Sequence, residues 1–534
     1  MKSKDENLKI YLFTFLTVFV FLWNFWFNAI WIPNESFYAE AVREMFESGN
    51  FLDIYYNYEP RFEKPPLTYW IIALSSLIFG INEFAIRLPI VLMALGSIYL
   101  TYRIGSLLYG KTVGIYAFFV MAFSFNFVIN SRYASPETPL LFFFTLTLYL
   151  FLKGYKENRF VYILFSYVSL GLTILTKGYP YFFVIGGIVG FYLLIESQFN
   201  FKEFFKKLLY LRVYLGVPVA LAIGLSWIVY MHLKFGDAFW NVYNEETIKR
   251  AFKEESKLSD LFFYPIVILW GFLPYSLTFY YSLFTSFKRI LKDFSFLFSW
   301  IFVMLVVFTI AKGKIPTYFI QAHPALSVFV AYHLVNYNPE GVKRYLWLAS
   351  FIIPALLILG LNAFIVYTFN LDYFYYFIIL FPLLYLLRYK DYKLVPFLSM
   401  MITFMILVVS LLVKVENYRP YKEIGKIVNQ NVPDRSIPLI IQNRFFHNMP
   451  FYTKRKVLRD YNENQILEYY KNHKYTLALV EESSLSKIDG KVLWSGYLYP
   501  NSESRFAVFL RNVAKAQKGD YSGFVKMYLV YATR

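Results

Sequence analysis

PNESFYAEAVREMFESGNFLDIYYNYEPRFEKPPLTYW, residues 33–70, is an island of charge in a greasy chain. Glu35, Glu40, Glu44, Glu47, Glu59 and Glu63 share it with Arg43, Arg61 and Lys64. One strongly apolar segment precedes it and a long series of others follows. Asn34 or Ser36 can cap a short helix, Gly49 can end it, and Tyr38, Val42, Met45 and Phe46 give it an apolar stripe. Spanning a bilayer does not require such an insert. The stretch therefore reads as half of a site lying on a membrane surface.

Composition around it agrees. Of 534 residues, 58% are hydrophobic and 16% charged, and the mean hydropathy is +0.44, outside the soluble range. The 60 Phe and 49 Tyr suit apolar helices with aromatic belts at the interfaces. A net charge of +18 reads as Lys and Arg held in short cytoplasmic loops, since nothing resembles a nucleic-acid module. Cysteine is absent, which excludes disulfides, thiolate nucleophiles and Cys-based metal sites. His232, His323, His333, His447 and His473 show no ligand spacing.

Apolar runs fall near 9–31, 86–109, 113–131, 137–153, 160–176, 179–196, 210–232, 261–284, 293–311, 315–336, 344–367, 372–388 and 394–414. That predicts about thirteen transmembrane helices, with 67–80 a surface helix. With the N-terminus in the cytoplasm, alternate loops carry basic residues such as Arg103, Lys156, Lys207, Lys288, Lys343 and Arg388. The outer loops at 32–85 and 233–260 are rich in Glu and Asp. The expected architecture is a polytopic α-helical membrane domain over 1–414, including a periplasmic loop at 32–85, and a small α/β periplasmic domain over 415–534. In the latter, IPLIIQ, TLALVE and RFAVFL read as strands and ENQILEYYKN as a helix. This domain either binds an acceptor or stabilises the outer loops.

Some cations break the charge rule. Arg61, Lys64, Arg132, Lys177, Lys312 and Lys314 fall at helix ends on the disfavoured outer side. Single lysines there commonly snorkel to headgroups. Four separate outer loops supplying them favour convergence on one anion. A lipid-borne phosphate is the natural ligand, helped by the amide end of the helix near Asn34. Glu35 and Glu137 would then orient the acceptor or take its proton, while the cations stabilise the departing phosphate. Such an arrangement implies direct displacement with inversion.

These residues resemble a known family. NESFYAEAVREM is similar to the DExxYAExxREM first-loop signature of the ArnT-like and protein O-mannosyltransferase-like GT-C glycosyltransferases. RFEKPPLTYW, SPETPLLFF, TKGYP, GFLPYS and KGKIPTYFIQAHPAL resemble further elements of that family, in order, to about residue 330. FYTKRKV extends the likeness into the C-terminal region. The resemblance implies a multi-pass inner-membrane enzyme with a polyprenyl-phosphate sugar donor, membrane-lipid surroundings and periplasmic chemistry. The acceptor would be lipid A or a related envelope molecule, making this a lipid A modification enzyme. It maps Lys64, Lys177, Lys314 and Tyr318 onto donor-phosphate and cavity positions, and the acidic positions onto Asn34–Glu35 and Glu137.

Departures from the pattern carry meaning. Asn34 stands where the family has Asp, and an amide is no general base; as an N-cap it is equally well accounted for. An already ionised phosphate acceptor would need no strong base, so Glu35 can suffice. Phe37 replaces an expected Arg. KLSDLFFYP lacks the expected His, so no zinc is predicted, and no spacing supports another divalent metal. Arg250 in ETIKRAF matches weakly and reads equally as a solvated charge. Tyr38 and Tyr69 either line the cavity or anchor at the interface. Transfer to protein Ser/Thr is the alternative reaction, and a transporter or lipid flippase the alternative class. No clear internal repeat is visible, and the placement of the outlying charges at outer helix ends rather than mid-membrane disfavours the latter.

Overall fold

In a computed structural model, residues 2–245 and 260–534 are described. The chain is mostly helical and builds a multi-pass membrane protein. Among the described residues six helices are long and apolar enough to cross a bilayer: Glu83–Tyr109, Glu137–Glu157, Phe160–Lys177, Val213–Phe235, Gly341–Thr368 and Tyr392–Glu416. The bent pair Ser276–Asp293 and Ser295–Ile310, which turns by 112°, makes a seventh if taken as one span. Shorter apolar helices, including Pro180–Glu196 and Phe374–Tyr389, pack among them.

Helix α1 (Lys2–Leu22) leads to α2 (Asn34–Ser48), α3 (Leu67–Phe79) and α4 (Glu83–Tyr109). The expected helix at 9–31 thus stops early. Asn24 has φ +55°, and two buried arginines take the carbonyls of the segment that follows. The expected 113–131 helix also breaks, into α5 (Lys111–Ala122) and α6 (Phe125–Asn130), with Phe125 N–H donating to Leu273 C=O at 2.9 Å instead of within a helix. The predicted span at 261–284 is two helices, Asp260–Gly271 and Ser276–Ser286, separated at Pro274, whose ring cannot continue the ladder. The predicted 315–336 span opens as a 3₁₀ turn, Pro316–Ala322, before helix His323–Asn336. α3 fits the expected short helix at 67–80.

Two further helices matter for the site: α7 (Glu137–Glu157) and α8 (Phe160–Lys177). They pack along their length, with Ser169 and Thr147 hydroxyls bridging them at 2.9 Å. Gly178, at φ +125°, terminates α8 directly after Lys177; a Cβ there would lie 3.1 Å from the Tyr243 hydroxyl.

In the first loop β1 (Tyr55–Tyr56) and β2 (Glu59–Pro60) form a short antiparallel hairpin, and the C-terminal region carries a mixed five-stranded sheet with Val457–Tyr461 at one edge and Lys491–Leu498 at the other. β3 (Leu439–Gln442) is parallel to β4 (Val457–Tyr461) and β5 (Tyr475–Val480). β7 (Val525–Thr533) pairs antiparallel with β5 and with β6 (Lys491–Leu498). The 463–472 helix and the strands at 439–442 and 475–480 match the sequence reading. RFAVFL does not: it lies in helix Phe506–Ala516, where Phe506, Phe509, Leu510 and Val513 recur at helical spacing. The sheet is anchored to the membrane domain. Ala29 and Ile32 sit in the core formed by Ile424, Leu439 and Leu477. The Asn57 side chain donates to Val457 C=O at 2.9 Å and accepts from Val457 N–H at 2.8 Å, so it occupies the free edge of β4 as a peptide would.

Candidate active site

α2 forms where the sequence placed it. Gly49 closes it at φ +71°, and Tyr38, Val42 and Met45 are buried. Its start differs from expectation. Pro33 is the cap residue and Asn34, exposed, is already the first helical residue; Ser36 Oγ donates back to Trp31 C=O at 3.0 Å.

Glu35 lies fully buried in a network of its own. Arg87 from α4 grips it through Nε–Oε1 at 2.8 Å and Nη2–Oε2 at 2.7 Å. Trp31 N–H and Ala134 N–H donate to the same carboxylate at 2.8 and 3.0 Å. Four donors surround two oxygens, so Glu35 is held as a structural anion. In this placement the carboxylate expected to serve the acceptor is turned to Arg87 and two backbone amides. Arg87 was missed by the sequence reading. Its position on an otherwise apolar helix, where a lone charge needs a partner, was the available signal.

Glu137 and Lys177 do come together. They stand at the first position of α7 and the last of α8, and the ammonium lies 2.5 and 2.6 Å from the two carboxylate oxygens. The pair is mostly buried, at 8% and 13% exposure. Tyr318, on the 3₁₀ turn, presents its ring face 4.4 Å from Lys177 Nζ, and Tyr181 lies at 6.0 Å. Three segments distant in sequence thus meet around one ammonium.

The first loop supplies a neighbouring group. Tyr38 stacks on Tyr69 with ring centroids 4.4 Å apart. Burial, together with Tyr69 and Glu137, pushes the Tyr38 phenol well above 10 against the pull of Arg61. Tyr38 therefore stays a neutral hydroxyl that feels both the Glu137 carboxylate and the Arg61 guanidinium. Arg61 packs 4.0 Å over the Phe37 ring and donates to Glu63 at 3.2 Å and to Tyr69 at 3.4 Å. Burial works against its charge, but Tyr69 and Glu63 outweigh that and raise its pKa. Phe37, placed where an arginine was expected, is the platform beneath this guanidinium. Lys64 follows Glu63, half-buried, ahead of Pro65 and Pro66.

Two other cations are placed differently. Lys314 Nζ turns back onto the carbonyls of Thr309 and Ala311, both at 2.8 Å, and caps helix Ser295–Ile310. These two carbonyls are the contacts its ammonium makes here. Arg132 donates to Trp23 C=O at 2.6 Å, and its Nη1 is buried with no partner among the described residues. Burial and then the nearby Arg87 lower its pKa to about 9. Arg250 lies outside the described residues. Among the described residues no group of three or more His, Asp or Glu is arranged to hold a metal ion.

A helical membrane domain, its helix ends gathered under a first-loop helix and a C-terminal α/β unit, is the architecture of the GT-C glycosyltransferase class. A family profile described as dolichyl-phosphate-mannose-protein mannosyltransferase matches residues 63–227. An uncharacterized protein of Aquifex aeolicus (strain VF5) is 32% identical over 517 residues, covering 96% of this chain and 98% of its own. The undecaprenyl phosphate-alpha-4-amino-4-deoxy-L-arabinose arabinosyl transferase of Pseudomonas savastanoi pv. phaseolicola is 27% identical over 350 residues, 64% of this chain and 63% of its own length. ArnT from Cupriavidus metallidurans bound to undecaprenyl phosphate has a similar structure, with a TM-score of 0.74 at 19% identity, covering 92% of this chain and 96% of that one. The chain belongs to the ArnT-like family of GT-C membrane glycosyltransferases.

Proposed function

We propose that the chain moves a sugar from a polyprenyl phosphate, of the undecaprenyl type, to lipid A or a related envelope acceptor. The reaction is an inverting displacement at the sheet-bearing end of the membrane domain. In this reading that end faces the periplasm of the inner membrane, thirteen segments cross the bilayer, and the periplasmic domain spans 415–534.

The observation that carries the reading is the buried Lys177–Glu137 pair against Tyr318. The Lys177 ammonium, oriented by Glu137, is a fixed point charge able to attract a donor phosphate oxygen. Negative charge developing on the leaving phosphate then meets a fixed cation in a site with little water, where it counts for most. Arg61 and Lys64 supply further positive charge from the first loop, Tyr38 a neutral hydroxyl for a sugar or phosphate oxygen, and Arg132 a spare N–H. Asn34, exposed at the start of α2, offers an amide to the acceptor. With Glu35 held by Arg87, Glu137 is the expected acceptor-side carboxylate that stands at the Lys177 ammonium, and it takes an acceptor proton only by giving up one of its two contacts with that ammonium. An acceptor phosphate, already ionised, would not require it to. The names of the arabinosyl transferase relatives and the undecaprenyl phosphate in the ArnT structure support the donor class.

A second reading, transfer to protein Ser/Thr, is favoured by the description of the matching family profile. The deciding experiment incubates the purified full chain with undecaprenyl-phosphate sugars and either lipid A or a Ser/Thr-rich protein. Label appearing in lipid A supports the first reading. Label in protein alone supports the second, and label in neither with any donor overturns both.

A further inference from the structure

On the side of the molecule where α1 ends, the α3–α4 turn and residues 416–422 enclose a groove of about 620 Å³, a size ordinary for one small ligand. Its walls are aromatic: Trp26, Phe27 and Phe79 are 44%, 38% and 47% exposed, and Phe84 packs edge-on between Trp26 and Phe79. These walls run on into exposed Phe19 of α1, Trp23 just past its end, and Leu77 and Ile78 of α3. The groove is therefore continuous with the apolar surface that a membrane-spanning domain turns to lipid.

Its polar end has a particular charge arrangement. Lys422 lies 3.1 Å from Glu83 and donates to Phe27 C=O at 2.6 Å. Glu83 Oε1 accepts from the Tyr452 hydroxyl at 2.8 Å, whereas its Oε2 has no hydrogen-bond partner among the described residues. Glu416 also lines the groove, held from behind by Arg419 at 2.9 Å. Two carboxylates thus face one ammonium. A purely anionic headgroup would meet net negative charge, and a quaternary ammonium brings no N–H for Glu83.

We propose that this groove binds one membrane glycerophospholipid with a primary-ammonium headgroup. Its phosphate sits on Lys422, its ammonium on Glu83, and its chain lies along Trp26 and Phe79. The site is distinct from the Lys177–Glu137 centre and does not depend on the reaction assigned there. It is nevertheless coupled to the fold near that centre, because Glu83 lies one turn before Arg87, which holds Glu35.

Native mass spectrometry of the full chain with three chain-matched lipids tests this: phosphatidylethanolamine, phosphatidylcholine and phosphatidylglycerol. One phosphatidylethanolamine should be retained about fivefold better than either other lipid, as one charge-assisted contact suggests. Lys422→Ala, at a half-buried position, and Phe79→Ala, at an exposed one, should each reduce that retention, and Glu83→Gln should erase the preference over phosphatidylcholine. Glu83→Gln loses a partner of Tyr452, so the other two variants decide if it fails to fold. Equal retention of all three lipids, preference for the anionic one, or retention unchanged in Lys422→Ala and Phe79→Ala would overturn the proposal.

Discussion

Arg87 and Arg419 donate to the same carbonyl oxygen, that of Ala29, each at 3.0 Å. One guanidinium comes from a membrane-domain helix and the other from the start of the C-terminal region, and both are fully buried. Each also carries its own carboxylate: Glu35 for Arg87, and Glu503 for Arg419 at 2.7 and 2.9 Å. Segment 28–32 is thereby fixed between two ion pairs, and α2 is set in place from there.

Arg87→Met should destabilise the protein by about 3–5 kcal/mol, because Glu35 is then buried without its counter-charge. Thermal denaturation in detergent measures this. The double variant Arg87→Met/Glu35→Gln should recover part of the loss; no recovery would show that Arg87 acts mainly through the backbone carbonyls it holds.

Lys177→Ala should lower transfer by about 100-fold or more, as expected for removing a cation that stabilises the leaving group. Lys177→Arg should restore only part, since the guanidinium cannot reproduce the compact ammonium over Tyr318. Folding should be checked by the melting temperature, because Glu137 is left unpaired. Near-wild-type turnover in Lys177→Ala would remove this pair from the mechanism.

Lys314→Ala is expected to reduce stability slightly, by about 0.5–1 kcal/mol, through loss of helix-end carbonyl contacts. Its effect on the apparent KM for donor should be small compared with that of Lys177→Ala. A comparable rise in KM would mean that Lys314 leaves those carbonyls when donor binds.

Glu44 gives a pH prediction outside the spanning helices. Burial first, then the neighbouring Glu40 carboxylate, raises its pKa from 4.5 to about 9, so it is protonated in the folded protein at neutral pH. The folded state then binds a proton that the unfolded state has released, and stability falls as pH rises from about 4.5 to about 9. Glu44→Gln keeps an acceptor for Tyr58 N–H, which now bonds both oxygens at 3.0 and 3.1 Å. It should raise the melting temperature at pH 8.5 and narrow the difference between pH 6 and pH 8.5. An unchanged pH dependence would rule the assignment out.

The parts legible in the sequence were those written in local pattern. The α2 helix with its Gly49 stop, α3 as a short helix, and the apolar stretches all follow from periodicity and end signals. Glu137 and Lys177 each stood out as charges at helix ends, but their meeting depends on α7 and α8 lying antiparallel, which spacing alone does not fix. Glu35 is a different case. The sequence shows a carboxylate beside a helix start, whereas its partner Arg87 lies 52 residues away inside an apolar run. RFAVFL alternates enough to pass for a strand, and only the following Asn512 and Val513 turn its period helical.

Asn57 hands β4 the two backbone-like bonds that a sixth strand would otherwise make. The carboxy-terminal module is consequently not autonomous. Expressed alone it would display a raw border, ready to recruit foreign chains, and a chain shortened before it would leave its amino-terminal hairpin without a dock. Cutting the enzyme between the two parts would open this seam together with the apolar core around Ala29 and Ile32 and the Arg419 contacts.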